Sequence, residues 1–258
     1  MTEIVDYLKS NLTTSFIGKE LHYLATTSST QDIAREMADH GAPEGTAVIA
    51  GTQLSGRGRL GRSWLSPEGG LATSIILRPA MSAVPLLPAI SALAVFRTIK
   101  HLGIEAGIKW PNDILIGGRK VCGILIEHTL INSMVGYSII GIGININFDT
   151  ALYPEIAGFA TSLSMQLGHE LPVGQVALSV YTEMENLYLQ SVTPDLITRE
   201  WADNMHTIGR RVKVQSGSSI IEGVAETINK SGHLLLRLDD GTIQEIVAGD
   251  ISVIPGSG

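Results

Sequence analysis

The sequence reads first as short apolar runs cut by glycine, proline and small polar clusters. Residues 21–26 form a strand candidate, and the following SSTQDIAREMADHG opens on hydroxyl residues suited to capping and closes on glycine, which predicts a helix of about three turns. GTAVIAGTQ (45–53) and LATSIILRP (71–79) are apolar strands on either side of a polar, glycine-rich connection. PLLPAISALAVF (85–96) stops at Arg97, short of the ~20 residues a membrane span requires, and predicts a buried helix over 85–102. Strands follow at 104–110, 113–116, 121–129 and 136–147, with the turn GGRK between the second and third. So many strands joined by tight turns predict a largely antiparallel sheet, not the alternating strand-helix order of a doubly wound nucleotide fold. Amphipathic helices over 173–190 and 195–204 are parted at Pro194.

From about residue 209 the pattern shortens. RRVKVQ, SIIEGVAETIN, GHLLLRL, TIQEIVAGD and ISVI are brief alternating strands joined at SGS, KSG and DDG, which predicts a small β-barrel. The expected division is therefore 1–207 for the main domain and 208–258 for the barrel. About twenty residues precede the first strand, too few for a helix-turn-helix module, so no DNA-binding domain is expected.

Composition narrows the possibilities. With 258 residues and 44% hydrophobic content the chain can fill one large core and a small appended one. A formal net charge of −7 argues against general affinity for nucleic acid or anionic lipid. The single cysteine, Cys122, excludes an internal disulfide and a cysteine zinc cluster, and suits a reducing cytoplasm. MTEIVDYLKS lacks the cationic start and apolar core of a targeting segment.

Against that acidic background, GTQLSGRGRLGRSW (51–64) places Arg57, Arg59 and Arg62 among glycines with no acidic neighbour. Forked guanidinium donors and glycine backbone amides suit phosphate or carboxylate oxygens. The same composition also fits an RNA contact or a solvated loop. Trp64 could stack on a purine or anchor the loop. In KWPNDILIGGRKVCG (109–123), Asn-Asp after proline makes a turn that exposes Lys109, Asn112 and Asp113 at a strand end, and the hairpin returns Lys120 to the same region. A hairpin lysine is ordinarily a solvated charge; a ligand developing negative charge would give it a task. GIGIN (141–145) is a weak dinucleotide signal, but glycine within a strand fits close approach of a ligand or of another backbone, or simply tight sheet packing. HExxH, G-x-S-x-G and Walker A patterns are absent from the sequence.

Taken in order, SSTQD (28–32), GTQLSGRGRLGRSW, KWPNDILIGGRKVCGILIE and GIGIN resemble the biotin protein ligases, also called biotin–[acetyl-CoA-carboxylase] ligases, of the monofunctional type. The resemblance implies an α+β fold: a mixed sheet of the class II aminoacyl-tRNA synthetase type followed by an SH3-like barrel. It implies two steps, in which biotin and MgATP yield biotinyl-5′-AMP and pyrophosphate, and a lysine of a biotin carboxyl carrier protein domain then displaces AMP. By the same resemblance Ser29, Thr30 and Gln31 lie at the biotin end, Gln53 reaches the ureido ring or the adenylate linkage, and Arg57, Gly58 and Arg59 close over biotin and phosphate. Lys120 contacts the biotin carboxylate and the α-phosphate, and Gly123, Gly141 and Gly143 flank the pocket. Arg62, Trp64, Asn112 and Asn145 serve the adenylate. Lys120, Arg57 and Arg59 carry the catalytic roles, Asp113 is a helper for the lysine or for Mg2+, and no protein-bound metal is expected. Leu60 and Gln31 depart from the commoner residues of the motifs. Family membership also raises a homodimer. Lipoate protein ligases, which share the fold and reaction type, are the alternative, and a noncatalytic RNA-binding module is a more distant one.

Overall fold

The computed structural model describes residues 3–216 and 219–254. Its helices are α1 (Glu3–Asn11), α2 (Thr30–Asp39), α3 (Leu87–His101), α4 (Leu163–Leu167), α5 (Val173–Leu189) and α6 (Pro194–Asp203). Seven strands form the first sheet: β1 (Leu21–Thr27), β2 (Ala47–Gln53), β3 (Leu71–Leu77), β4 (Gly107–Lys109), β5 (Asp113–Ile116), β6 (Arg119–Ile131) and β7 (Met134–Ile144). Their spatial order is β1-β2-β3-β7-β6-β5-β4. All neighbours are antiparallel except β1 and β2, which are parallel. A parallel pair needs a crossover, and α2 supplies it.

Side chains alternate across a strand, so each sheet face can be read from the sequence. Val48, Ile76, Tyr137 and Ile139 face α2, where Ala34 and Ala38 close a small core. Ile49, Ile75, Leu77 and Ile140 lie in the main core with residues of α3, α5 and α6. Helix α3 is buried nearly all round, as its continuous apolar run predicts, and each fully buried Leu or Ile contributes roughly 1.5–3 kcal/mol. Its end is set by Gly103, at φ +77°, a left-handed position that costs glycine least.

Several boundaries differ from the sequence expectation. The strand expected over 104–110 pairs only from Gly107, opposite Leu115. Strands β6 and β7 extend further into their shared hairpin than expected, to Ile131 and from Met134. Helices α1 and α4 were not anticipated. Helix α1 buries Leu8, and its Tyr7 lies close against Gly174 of α5. Just beyond α1, the Glu185 carboxylate of α5 accepts backbone N–H bonds from Ser15, from Phe16 at 2.9 Å and from Ile17 at 2.9 Å. Burial alone would raise the carboxyl pKa, but these donors more than offset it and hold it below its ordinary value.

The second sheet has five strands: β8 (Arg211–Ser216), β9 (Ser219–Ile228), β10 (Leu234–Arg237), β11 (Ile243–Ile246) and β12 (Asp250–Val253). They are antiparallel in the order β11-β10-β9-β8-β12. The expected turns at 230–232 and 239–241 fall between β9 and β10 and between β10 and β11. The expected SGS turn includes residues 217 and 218, which lie outside the described residues, as do 255–258 at the end of the expected barrel. Both sheets share the main core, with Val212, Val214, Leu234 and Leu236 joining Trp201 of α6. Trp110 also donates from Nε1 to the Gly232 carbonyl at 3.0 Å. Among the described residues no helix is long and apolar enough to cross a membrane.

Candidate active site

The site begins where α2 stops covering its face of the sheet. Continuing the period of Tyr137 and Ile139 along β7 brings Gly141 and Gly143 to that face, with Gly123 opposite Gly143 on β6 and Ser74 opposite Gly141 on β3. Glycines leave this part of the sheet bare, and other side chains occupy the space a Cβ would take. A Cβ on Gly141 would lie 2.5 Å from Gln31 Oε1, and one on Gly143 would lie 2.4 Å from the Trp64 indole. The close approach at GIGIN is made by the side chains of Gln31 and Trp64, where a ligand or another backbone was the expectation.

Two cavities flank Trp64. The first, of about 50 Å³, is lined by Ser29, Thr30, Gln31, Gln53, Ser74, Gly123, Gly141 and Gly143, with Arg57, Gly58 and Arg59 over it. Neutral hydrogen bonds define it. Gln53 Oε1 accepts from Thr30 N at 2.9 Å and Thr30 Oγ1 at 3.1 Å. Thr30 Oγ1 lies 2.8 Å from Ser74 Oγ, which donates to Gln31 Oε1 at 3.0 Å. Gln31 Nε2 in turn donates to the Ile139 carbonyl at 3.2 Å. These groups are fixed by β2, β3, β7 and the first turn of α2. Ser29 stands at the helix N-cap without a side-chain capping bond, leaving its hydroxyl out of the role its sequence position suggested.

The second cavity, of about 360 Å³, is charged. Arg59, Arg62, Lys109 and Lys120 line it with two carboxylates, Asp113 and Asp250. Lys120 Nζ pairs with Asp113 Oδ1 at 2.7 Å and lies 5.3 Å from the centroid of the Trp64 ring. Its backbone is held on both sides, donating to Phe159 O at 2.7 Å and accepting from Thr161 N at 2.9 Å. Lys120 is thus drawn into the site instead of standing in solvent. Burial lowers the pKa of Lys109, as do Lys120 and Arg62, against the opposing effect of Asp113. Burial likewise lowers that of Arg59, assisted by Arg62 and opposed by Asp113. Partly buried cations gathered in one cleft make it a candidate site for an anion.

The arginine loop closes over both cavities and is bonded to itself. Gly58 N–H donates to Arg62 O at 2.7 Å and Trp64 N–H to Gly56 O at 2.8 Å, so the Gly58 amide is spent inside the loop and does not face a ligand. Leu60, exposed at the tip, sits at φ +56°. Arg57 is bound by Asp32 and Glu127. Arg59 Nη1 donates to Asn112 Oδ1 at 2.9 Å, and Arg62 pairs with Asp250 at the start of β12. The second sheet therefore touches the loop directly.

All the residues expected at the site converge on these cavities. Asn112 is anchored by donating from Nδ2 to Ile124 O at 2.8 Å. Asn145, buried at the edge of the second cavity, donates from Nδ2 to Thr161 O at 2.9 Å. Sequence reasoning missed Ser74, Glu127 and Asp250. Cys122 is a buried strand residue whose thiol pKa is raised by burial.

Residues 23–145 match the model of the Biotin/lipoate A/B protein ligase family, and residues 207–253 match the Biotin protein ligase C terminal domain. The two matches place the chain among the protein ligases for biotin or lipoate. The chain is 38% identical over 253 residues to the Bacillus subtilis bifunctional ligase/repressor BirA, covering 95% of this chain and 78% of that protein. It is 30% identical over 236 residues to the Paracoccus denitrificans biotin–[acetyl-CoA-carboxylase] ligase, covering 83% of this chain and 92% of that protein. The solved Aquifex aeolicus biotin protein ligase in complex with biotin and ATP superposes with a TM-score of 0.77 at 31% identity, covering 92% of this chain and 99% of that one. The chain belongs to the biotin protein ligase family.

Proposed function

We propose that this protein activates biotin with MgATP and transfers the biotinyl group to a lysine of a biotin carboxyl carrier protein domain. The observation that carries this reading is the position of Lys120, whose residue lines both the narrow neutral cavity and the wide cationic one. A carboxylate held in the first and an α-phosphate held in the second meet at its ammonium. Carboxylate oxygen attacks the α-phosphorus, forming the mixed anhydride and releasing pyrophosphate. The acceptor amine then attacks the anhydride carbonyl, loses a proton, and AMP leaves. Negative charge accumulates between the reacting groups in the first step, and a fixed cation stabilises it there.

The other assignments follow the geometry. Ser29, Thr30, Gln31 and Gln53 present the polar atoms for the biotin ring system, and Ser74 completes their network. Arg59, Arg62, Trp64, Asn112 and Asn145 serve the nucleotide. Asp113 orients Lys120 through their ion pair. Among the described residues no group of three His, Cys, Asp or Glu side chains could hold a metal ion, and both carboxylates of the second cavity are already paired. In this reading Mg2+ arrives as the companion of ATP. We also infer a division into 1–207 and 208–258, supported by the family match that begins at 207 and by the sheet that begins at Arg211.

The test is exchange of labelled pyrophosphate into ATP by the purified protein. Biotin-dependent exchange is expected, and exchange with lipoate alone would replace the reading with a lipoate ligase.

A further inference from the structure

Glu127 has no part in the assignments above, yet it holds the first arginine of the loop. It shares a sheet face with Gly123 and Leu125 and stands opposite Ile139 on β7. Its two oxygens accept from Arg57 in fork-on-fork geometry, Nη1 to Oε1 at 3.2 Å and Nη2 to Oε2 at 2.7 Å. Asp32 Oδ1, from the first turn of α2, lies 2.9 Å from the same Nη2. Arg35 donates from Nη2 to Glu127 Oε2 at 2.8 Å, so two cations meet two anions and the cluster is neutral. The Glu127 side chain is only 25% exposed. A paired fork partly shielded from water holds more firmly than a single surface ion pair. Arg57 Nε is buried without a hydrogen-bond partner, so the identified bonds of this guanidinium all run to the carboxylates of β6 and α2.

We propose that Glu127 is a positioning residue: through Arg57 it holds the arginine loop closed over the biotin end and sets how long the adenylate is retained before an acceptor arrives. The inference rests on the proposed ligase activity for its kinetic consequence, but its mechanical part does not. A mixed anhydride is lost to water whenever the loop opens, so retention is worth a dedicated clasp. Asp32 is the weaker half of that clasp, because it meets one nitrogen and its side chain is half exposed.

Two measurements on Glu127→Gln test this. In the ligand-free protein, trypsin cleavage within 54–64 should quicken by about fivefold or more, as loss of a charge-assisted pair allows. In pyrophosphate exchange the biotin KM and the release rate of biotinyl-AMP should both rise about tenfold, with kcat changed less than about twofold. Glu127→Asp should recover part of the loss. Should the Gln variant fail to fold, Arg57→Lys removes the fork while keeping the charge and should show the same loop cleavage. Cleavage equal to that of the unmodified protein overturns the clasp, and faster cleavage with unchanged KM and release overturns the retention role. Absence of biotin-dependent exchange in the unmodified protein would instead overturn the ligase reading, while the cleavage comparison still decides the clasp.

Discussion

The two cavities on either side of Trp64 share Arg59 and Lys120 but differ in most of the rest of their walls. On one side Thr30, Gln31, Gln53 and Ser74 satisfy one another through neutral hydrogen bonds within the sheet and the first turn of α2. On the other, Arg59, Arg62, Lys109 and Lys120 face Asp113 and Asp250 across a larger space. The neutral side gains specificity from geometry, since a buried donor or acceptor left unmatched costs about 1–3 kcal/mol. The charged side can exchange a protein carboxylate for a phosphate oxygen at little cost in partner number. A site for a neutral ring system and a site for a polyanion call for this difference, and Lys120 stands where they meet.

Substitutions can break or sharpen that contrast. The largest effect should come from Lys120→Ala, which removes the shared cation: pyrophosphate exchange should fall by roughly 10²–10³-fold while circular dichroism shows an intact fold. An unchanged rate would leave Lys120 as no more than the partner of Asp113. On the neutral side, Gln53→Leu leaves the Thr30 N–H without its acceptor, and biotin affinity by titration should weaken about 10- to 100-fold, equally at low and high salt. On the charged side, Asp250→Asn loosens Arg62 at an exposed position. Its effect on the ATP KM should stay within about fivefold and shrink as salt is raised. A salt-sensitive Gln53 variant or a salt-insensitive Asp250 variant would erase the distinction between the cavities.

Much of this site was legible before the fold was known, for identifiable reasons. The apolar run of α3, the glycine-marked ends of α2 and the alternating strands carried the architecture. The polar pair Thr73-Ser74 inside the otherwise apolar LATSIIL is a visible sign of a polar group, Ser74, facing the site. Other features had no local signature. Glu127 sits among the polar residues at the end of β6, where a solvated face would look the same, and its partner Arg57 is 70 residues away. Arg57 and Arg62 of the loop have no visible partner in the sequence because their carboxylates come from α2, β6 and β12. Trp64 stayed ambiguous until the fold laid its ring over Gly123 and Gly143. Helix α1 is only nine residues long and buries Leu8 alone among them, too short a segment to show a periodic pattern.

The burial of Cys122 has a use for direct observation of the loop. It is the only thiol in the sequence, fully enclosed, and slow to ionise because burial raises its pKa. A second cysteine placed at Leu60, 72% exposed at the tip of the arginine loop, would therefore be alkylated alone. A single fluorophore can be attached there without stripping the protein of native cysteines, and its anisotropy would report opening and closing in real time.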